Sequence, residues 1–165
     1  MNMTAQQRRA VLSHPAGWIA SGFGAGLSPL APGTVGSAVA LLPYLWLREL
    51  PLWGYLGVVL AVFLLGVLVS RVLVARLGAE DPGYIVIDEF VGQWLALAFV
   101  PGGWTWILVG FLLFRLFDVW KPWPVSWADR NVGGGFGVML DDALAGVLAA
   151  AALAGLAWGA ARFVT

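Results

Sequence analysis

The sequence predicts an all-α fold, a polytopic membrane helix bundle of about five spans with short cytoplasmic loops. Three observations carry this. Of 165 residues, 61% are hydrophobic and only 11% charged, against about 45–50% apolar and about 25% charged in a soluble domain. Mean hydropathy is +0.87, more apolar surface than a core of this size can hide. Residues 52–70, LWGYLGVVLAVFLLGVLVS, run for 19 positions without a charge; at about 1.5 Å per residue they match the roughly 30 Å hydrocarbon thickness.

Taken in order, the N-terminal MNMTAQQRRAVLSHPAG is too polar for a signal-peptide core. Residues 1–20 are expected to form a cytoplasmic or interfacial tail, with His14 uninvolved in function. A Gly/Pro-rich loop follows, SGFGAGLSPLAPGTVGS over 21–37. The first span is short, TVGSAVALLPYLWL over 34–47, and Pro43 would kink it. The second is the 52–70 run. Residues 85–100 and 104–117 are two helix-like runs split by Pro-Gly-Gly at 101–103, which reads as a helical hairpin over 85–117. The last span, ALAGVLAAAALAGLAWGAA over 143–161, has the small residues that suit close helix packing. No fixed-period repeat occurs, and residues 1–165 read as a single domain.

With the N-terminus inside, Arg8, Arg9, Arg71, Arg76, Arg115, Lys121 and Arg130 fall on the cytoplasmic side, and Arg48 and Arg162 outside. That bias follows the positive-inside tendency. The same topology gathers acids. Asp88 and Glu89 begin one span, Asp118 ends the next, and Asp141 and Asp142 open the last, all at one face. Glu49, Glu80 and Asp81 sit at loop edges as ordinary solvated charges.

Ionisable groups beside hydrocarbon face a bundle interior or a watery cavity and take partners. Gathered carboxylates repel unless a cation or proton compensates them, and hard oxygen ligands suit Mg²⁺. Arg115, Lys121 and Arg130 are a natural complement for an anionic phosphate. Together these point to metal-assisted phosphoryl chemistry on a lipid headgroup. The absence of cysteine excludes a thiol phosphatase, and a single histidine excludes a paired-histidine phosphatase.

Plainer readings stand beside these. Arg115 and Asp118, three apart, also suit an intrahelical ion pair. Asp88 with Glu89, and Asp141 with Asp142, also suit helix-dipole compensation. Asp129 and Arg130 also suit a solvated loop pair. The loop before Thr34 and Ser37 either holds an anion at a helix start or is a simple connection, and the glycine run NVGGGFG over 131–137 is equally open. Trp120, Trp123 and Trp127 fit an interfacial aromatic belt.

In order along the chain, GFGAGLSPLAPGTVGS, IVIDEFVGQ, FRLFDVWKPWPVSWADRN and GVMLDDALAG closely resemble the phosphatidylglycerophosphatase A family. The resemblance extends over residues 22–146. It implies a Mg²⁺-dependent, multi-pass enzyme of the bacterial inner membrane with its site on the cytoplasmic side. The implied reaction is hydrolysis of phosphatidylglycerophosphate to phosphatidylglycerol and inorganic phosphate, in phospholipid biosynthesis. Asp88, Glu89, Asp118, Asp141 and Asp142 are the expected metal ligands, with Asp129 a further candidate. Asp88, Glu89, Asp118 and Asp142 are expected to be catalytic. Arg115, Lys121, Arg130, Thr34 and Ser37 are expected to hold the lipid substrate. The rival from another class is a small ion- or proton-coupled transporter, which would place its acids near the bilayer midplane rather than at one end. A CDP-alcohol phosphotransferase would need a D-x-x-D-G pattern, which does not occur.

Overall fold

A computed structural model describes residues 5–77 and 83–163, and all regular structure among them is helical. Glu80 and Asp81 lie outside the described residues. The tail forms α1 (Ala5–Leu12) and α2 (Pro15–Ala20). His14 caps α2: its Nδ1 accepts from the Ala16 backbone N–H at 3.1 Å, with Pro15 at the first helical position. A 3₁₀ turn (Ala25–Leu27) leads to α3 (Pro32–Leu47), which carries Pro43 in its interior. The remaining helices are α4 (Leu52–Leu77), α5 (Ile87–Leu97), α6 (Trp104–Trp120), α7 (Val125–Asn131) and α8 (Gly134–Phe163).

Two of these, over Leu52–Arg76 and Gly134–Arg162, are long and apolar enough to cross a membrane. Their most apolar windows are only 28% and 22% buried inside the molecule, so their apolar faces look outward. A core helix of a soluble protein would turn them inward.

Several boundaries differ from the sequence expectation. Helix α5 covers 11 residues, about 16 Å, rather than all of 85–100. Before it, the Val86 N–H donates to the Ala20 carbonyl at 2.8 Å, which ties the segment entering α5 to the end of α2. Asp88 and Glu89 therefore stand in the first turn of α5, where the helix dipole favours them. Helix α8 starts nine residues before the expected 143. Asp141 and Asp142 consequently lie two turns inside it, beyond the reach of its N-terminal dipole. Glycines disguised this start, being poor helix formers. Here Gly135 is needed because a Cβ would strike the Val67 carbonyl of α4. Asp129 and Arg130, which also read as a loop pair, lie on α7.

Helix α5 is the hub. Nine of its eleven residues are buried, enclosed by α3, α4, α6 and α8. The Trp94 indole N–H donates to the Ala40 carbonyl at 2.8 Å, and the Tyr55 hydroxyl donates to the Trp94 carbonyl at 2.6 Å. These bonds fix α5 to α3 and α4. On its other side, a Cβ on Gly92 would meet the Phe114 ring and one on Gly110 would meet Leu97, so α5 and α6 run antiparallel. The closest approach is to α8, where a Cβ on Gly146 would strike the Gly92 carbonyl and one on Gly92 the Asp142 carbonyl.

This contact separates two glycines of one helix. Gly146→Ala, forced against backbone, is expected to destabilise by about 1–3 kcal/mol. Gly155→Ala, with open space around it, should be neutral or stabilising by up to about 1 kcal/mol. Denaturant unfolding of both variants in detergent micelles measures the difference.

Candidate active site

The crossing of α5 over α8 decides what meets at their ends. One carboxylate oxygen each from Asp88, Glu89 and Asp142 lies within 4.8 Å of the others. Asp88 and Asp142 are 8% and 4% exposed. Asp118, from α6, stands in electrostatic reach of Glu89 and Asp142, and Asp141 in reach of Asp88. Five carboxylates from three helices thus face one small region, as the sequence led us to expect.

Two cations answer them. The Arg115 guanidinium meets Asp118 Oδ2 at 2.6 Å and lies 3.9 Å from Glu89 Oε1. It also donates to Ser37 Oγ at 3.3 Å, and Ser37 Oγ donates to the Gly33 carbonyl at 2.9 Å. The intrahelical pair is therefore present, but it also joins α6 to α5 and α3. Lys121 pairs with Asp129 of α7 and, at 2.8 Å, with Asp141 of α8. Burial opposes its charge, yet the hydrogen bonds to Asp129 and Asp141 outweigh burial and raise its pKa above the ordinary lysine value. A raised pKa means that these pairs stabilise the fold throughout the neutral range and are lost only as pH climbs past that value.

The charges do not cancel. Two unit charges about 4.8 Å apart repel by about 3.5 kcal/mol at an effective dielectric near 20. Asp118 and Asp141 are engaged by Arg115 and Lys121 and Glu89 is paired more loosely with Arg115 at 3.9 Å, whereas Asp88 and Asp142 make no ion pair among the described residues. Glu89 Oε2 and Asp142 Oδ2 are buried without a hydrogen-bond partner. Buried carboxylate oxygens in that condition suit a hard divalent cation, and these three residues could hold one.

Other expected residues fall differently. Ser37 is buried and reaches Arg115, but Thr34 is exposed and makes no side-chain hydrogen bond among the described residues. Arg130 is exposed on α7 and makes no ion pair among the described residues. The glycine run after Asn131 lines a cleft of about 140 Å³ with Asp129 and Asp141, so it borders the site. Trp120, Trp123 and Trp127 are exposed. Glu49 is an exposed partner of Arg48 at 3.5 Å, an ordinary surface charge.

Of the glycines that allow this convergence, Gly146 lies in the small-residue span expected to pack closely, whereas Gly92 and the approach of Gly33 to Glu89 were not foreseen. A Cβ on Gly33 would overlap Glu89 Oε1 and crowd the Arg115 guanidinium, and Gly92 and Gly146 set the α5–α8 approach. Glycines inside helical patterns signal close approach, which was the available clue. Arg115→Met would leave two enclosed carboxylates uncompensated and is expected to lower unfolding free energy by about 3–5 kcal/mol. Adding Asp118→Asn should restore part of that loss in the same detergent unfolding measurement.

Comparison with known proteins places the chain in a family. Residues 18–157 match the family model described as phosphatidylglycerophosphatase A. A phosphatidylglycerophosphatase A of Escherichia coli K12 is 44% identical over 146 residues, covering 88% of this chain and 85% of the relative. The protein of the same description in Haemophilus influenzae Rd is 42% identical over 144 residues, covering 86% and 88%. A Bacteroides thetaiotaomicron protein described as a putative phosphatidylinositol-3-phosphatase is 40% identical over 152 residues, covering 85% and 92%. No solved structure matches the chain. With a family model spanning most of its length and relatives above 40% identity over nearly all of theirs, the chain belongs to the phosphatidylglycerophosphatase A family.

Proposed function

We propose that this protein is a Mg²⁺-dependent lipid phosphatase. It hydrolyses phosphatidylglycerophosphate to phosphatidylglycerol and inorganic phosphate, in phospholipid biosynthesis. The carrying observation is the convergence of Asp88, Glu89 and Asp142 in a chain of this family. In this reading α3, α4, α5, α6 and α8 are embedded in the bacterial inner membrane as five spans, α5 and α6 forming the hairpin and the short α5 enclosed by its neighbours. The seven-to-two distribution of basic residues supports a site on the cytoplasmic side.

Asp88, Glu89 and Asp142 would hold the metal, with Asp118 and Asp141 at its margin. The chemistry that bound Mg²⁺ supplies is neutralisation of charge developing on the phosphoryl oxygens. Water attacks phosphorus, the bond from phosphorus to the glycerol oxygen breaks, and the leaving alkoxide takes a proton. One carboxylate of the cluster accepts the proton from the attacking water. Arg115 and Lys121 hold Asp118 and Asp141 in place while bordering the phosphate. Arg130 and Thr34, both exposed, meet the incoming headgroup first. Confinement of the acids to one end of the bundle argues against the transporter reading.

Phosphate release from phosphatidylglycerophosphate in detergent is the test, with phosphatidylinositol 3-phosphate alongside because of the Bacteroides relative. Release should stop on chelation and return with Mg²⁺. Asp88→Asn, Asp118→Asn and Asp142→Asn should each lower kcat by more than about 100-fold, since even residues behind metal ligands are worth about 10–100-fold. Near-normal turnover in all three would remove the site. For Arg130→Ala, an exposed contact, KM should rise about two- to fivefold with kcat unchanged.

A further inference from the structure

One buried polar side chain takes no part in the chemistry above. Gln93 is fully buried, and neither its amide nitrogen nor its amide oxygen has a hydrogen-bond partner. Buried amides are almost always satisfied, so an unpartnered one asks for an explanation. It stands four residues after Glu89, one turn further along the same face of α5. Four residues further again, Leu97 packs toward Gly110 of α6, while Glu89 faces Arg115 of α6. Residues 89, 93 and 97 therefore form one ridge directed at α6, with Gln93 at its middle.

Glu89 also has an uncommitted atom. Its Oε1 is the oxygen nearest the Arg115 guanidinium, whereas Oε2 is buried without a partner, as is Arg115 Nε. Side chains at this spacing have Cβ atoms about 5–6 Å apart, a gap that one side-chain rotation or one bridging water closes. A carboxamide suits the position because it donates and accepts without adding charge to a crowded site.

We propose that Gln93 is a positioning residue: its amide holds the second oxygen of Glu89, directly or through one water, and so fixes how Glu89 presents itself to the carboxylate cluster. This rests on the phosphatase reading and goes beyond it, since Gln93 touches neither substrate nor metal.

The test uses the full chain in detergent, with kcat and KM for phosphate release from phosphatidylglycerophosphate and a Mg²⁺ titration of the melting temperature. For Gln93→Met, similar in length and apolar, kcat should fall about 10–100-fold, the range for a residue that orients a metal ligand. KM should stay within about twofold, the metal-free melting temperature should hold or rise, and the Mg²⁺ midpoint should move up about tenfold. A kcat within twofold of wild type overturns the proposal. So does an unmoved Mg²⁺ midpoint, or a loss of activity that merely follows a lowered metal-free melting temperature. Should Gln93→Met not fold, Gln93→Asn replaces it, keeping the amide but shortening its reach, under the same criteria. Failure of wild type to release phosphate would instead strike the phosphatase reading itself.

Discussion

The site depends on a backbone contact between two glycines. Ordinary side chains keep helix axes about 8–10 Å apart. Gly92 and Gly146 remove the spacers, so the backbone of one helix rests on the other. Asp142 is part of this contact, because its carbonyl borders Gly92 while its carboxylate joins Asp88 and Glu89. Gly33 repeats the device on the α3 side, where any Cβ would displace Glu89 and Arg115. Each glycine lowers helix propensity by about 1 kcal/mol relative to alanine, a loss offset by packing that only a bare backbone permits.

Bringing acids together creates the second constraint, which is charge. Arg115 and Lys121 each join three elements, Arg115 linking α6 to α5 and α3, and Lys121 linking the end of α6 to α7 and α8. Lys121 occupies a left-handed backbone position, φ 48° and ψ 56°, immediately after α6. Glycine would fill that position without strain. Keeping lysine there makes sense if the ammonium is required where the turn delivers it, and strained backbone gathers at functional sites for that reason. The two cations leave Asp88 and Asp142 without an ion pair among the described residues, and Glu89 with only the longer one to Arg115.

Much of this was written in the sequence. Charges are so few that their positions carried information, and tracing Asp88, Asp118 and Asp142 through a membrane topology brought them to one end before any coordinates. Residue type told less about local context. The run expected over 85–100 proved to be a helix over 87–97 with Asp88 and Glu89 in its first turn; Asp141 and Asp142 read as a helix start and proved to lie two turns inside. Both errors came from helix ends set by tertiary contacts, the Val86–Ala20 hydrogen bond in one case and glycine packing on α4 in the other. Propensity cannot see such contacts. Arg130 and Thr34 were gathered into the site by proximity in sequence, whereas their exposure depends on which way α7 and the start of α3 turn.

The short length of α5 follows from these constraints rather than opposing them. Eleven residues suffice to place one pair of acids at one end and the Trp94 anchor, bonded to α3 and α4, near the other. Enclosure on all sides also means that the acids of α5 are reached from a single direction, with packed apolar side chains behind them. In such a setting water screens the cluster less, and each interaction made by a carboxylate is stronger than it would be at an open surface. The arrangement that makes repulsion among these acids costly is therefore the same one that, in the reading proposed above, would make their hold on a divalent cation and a phosphate tight.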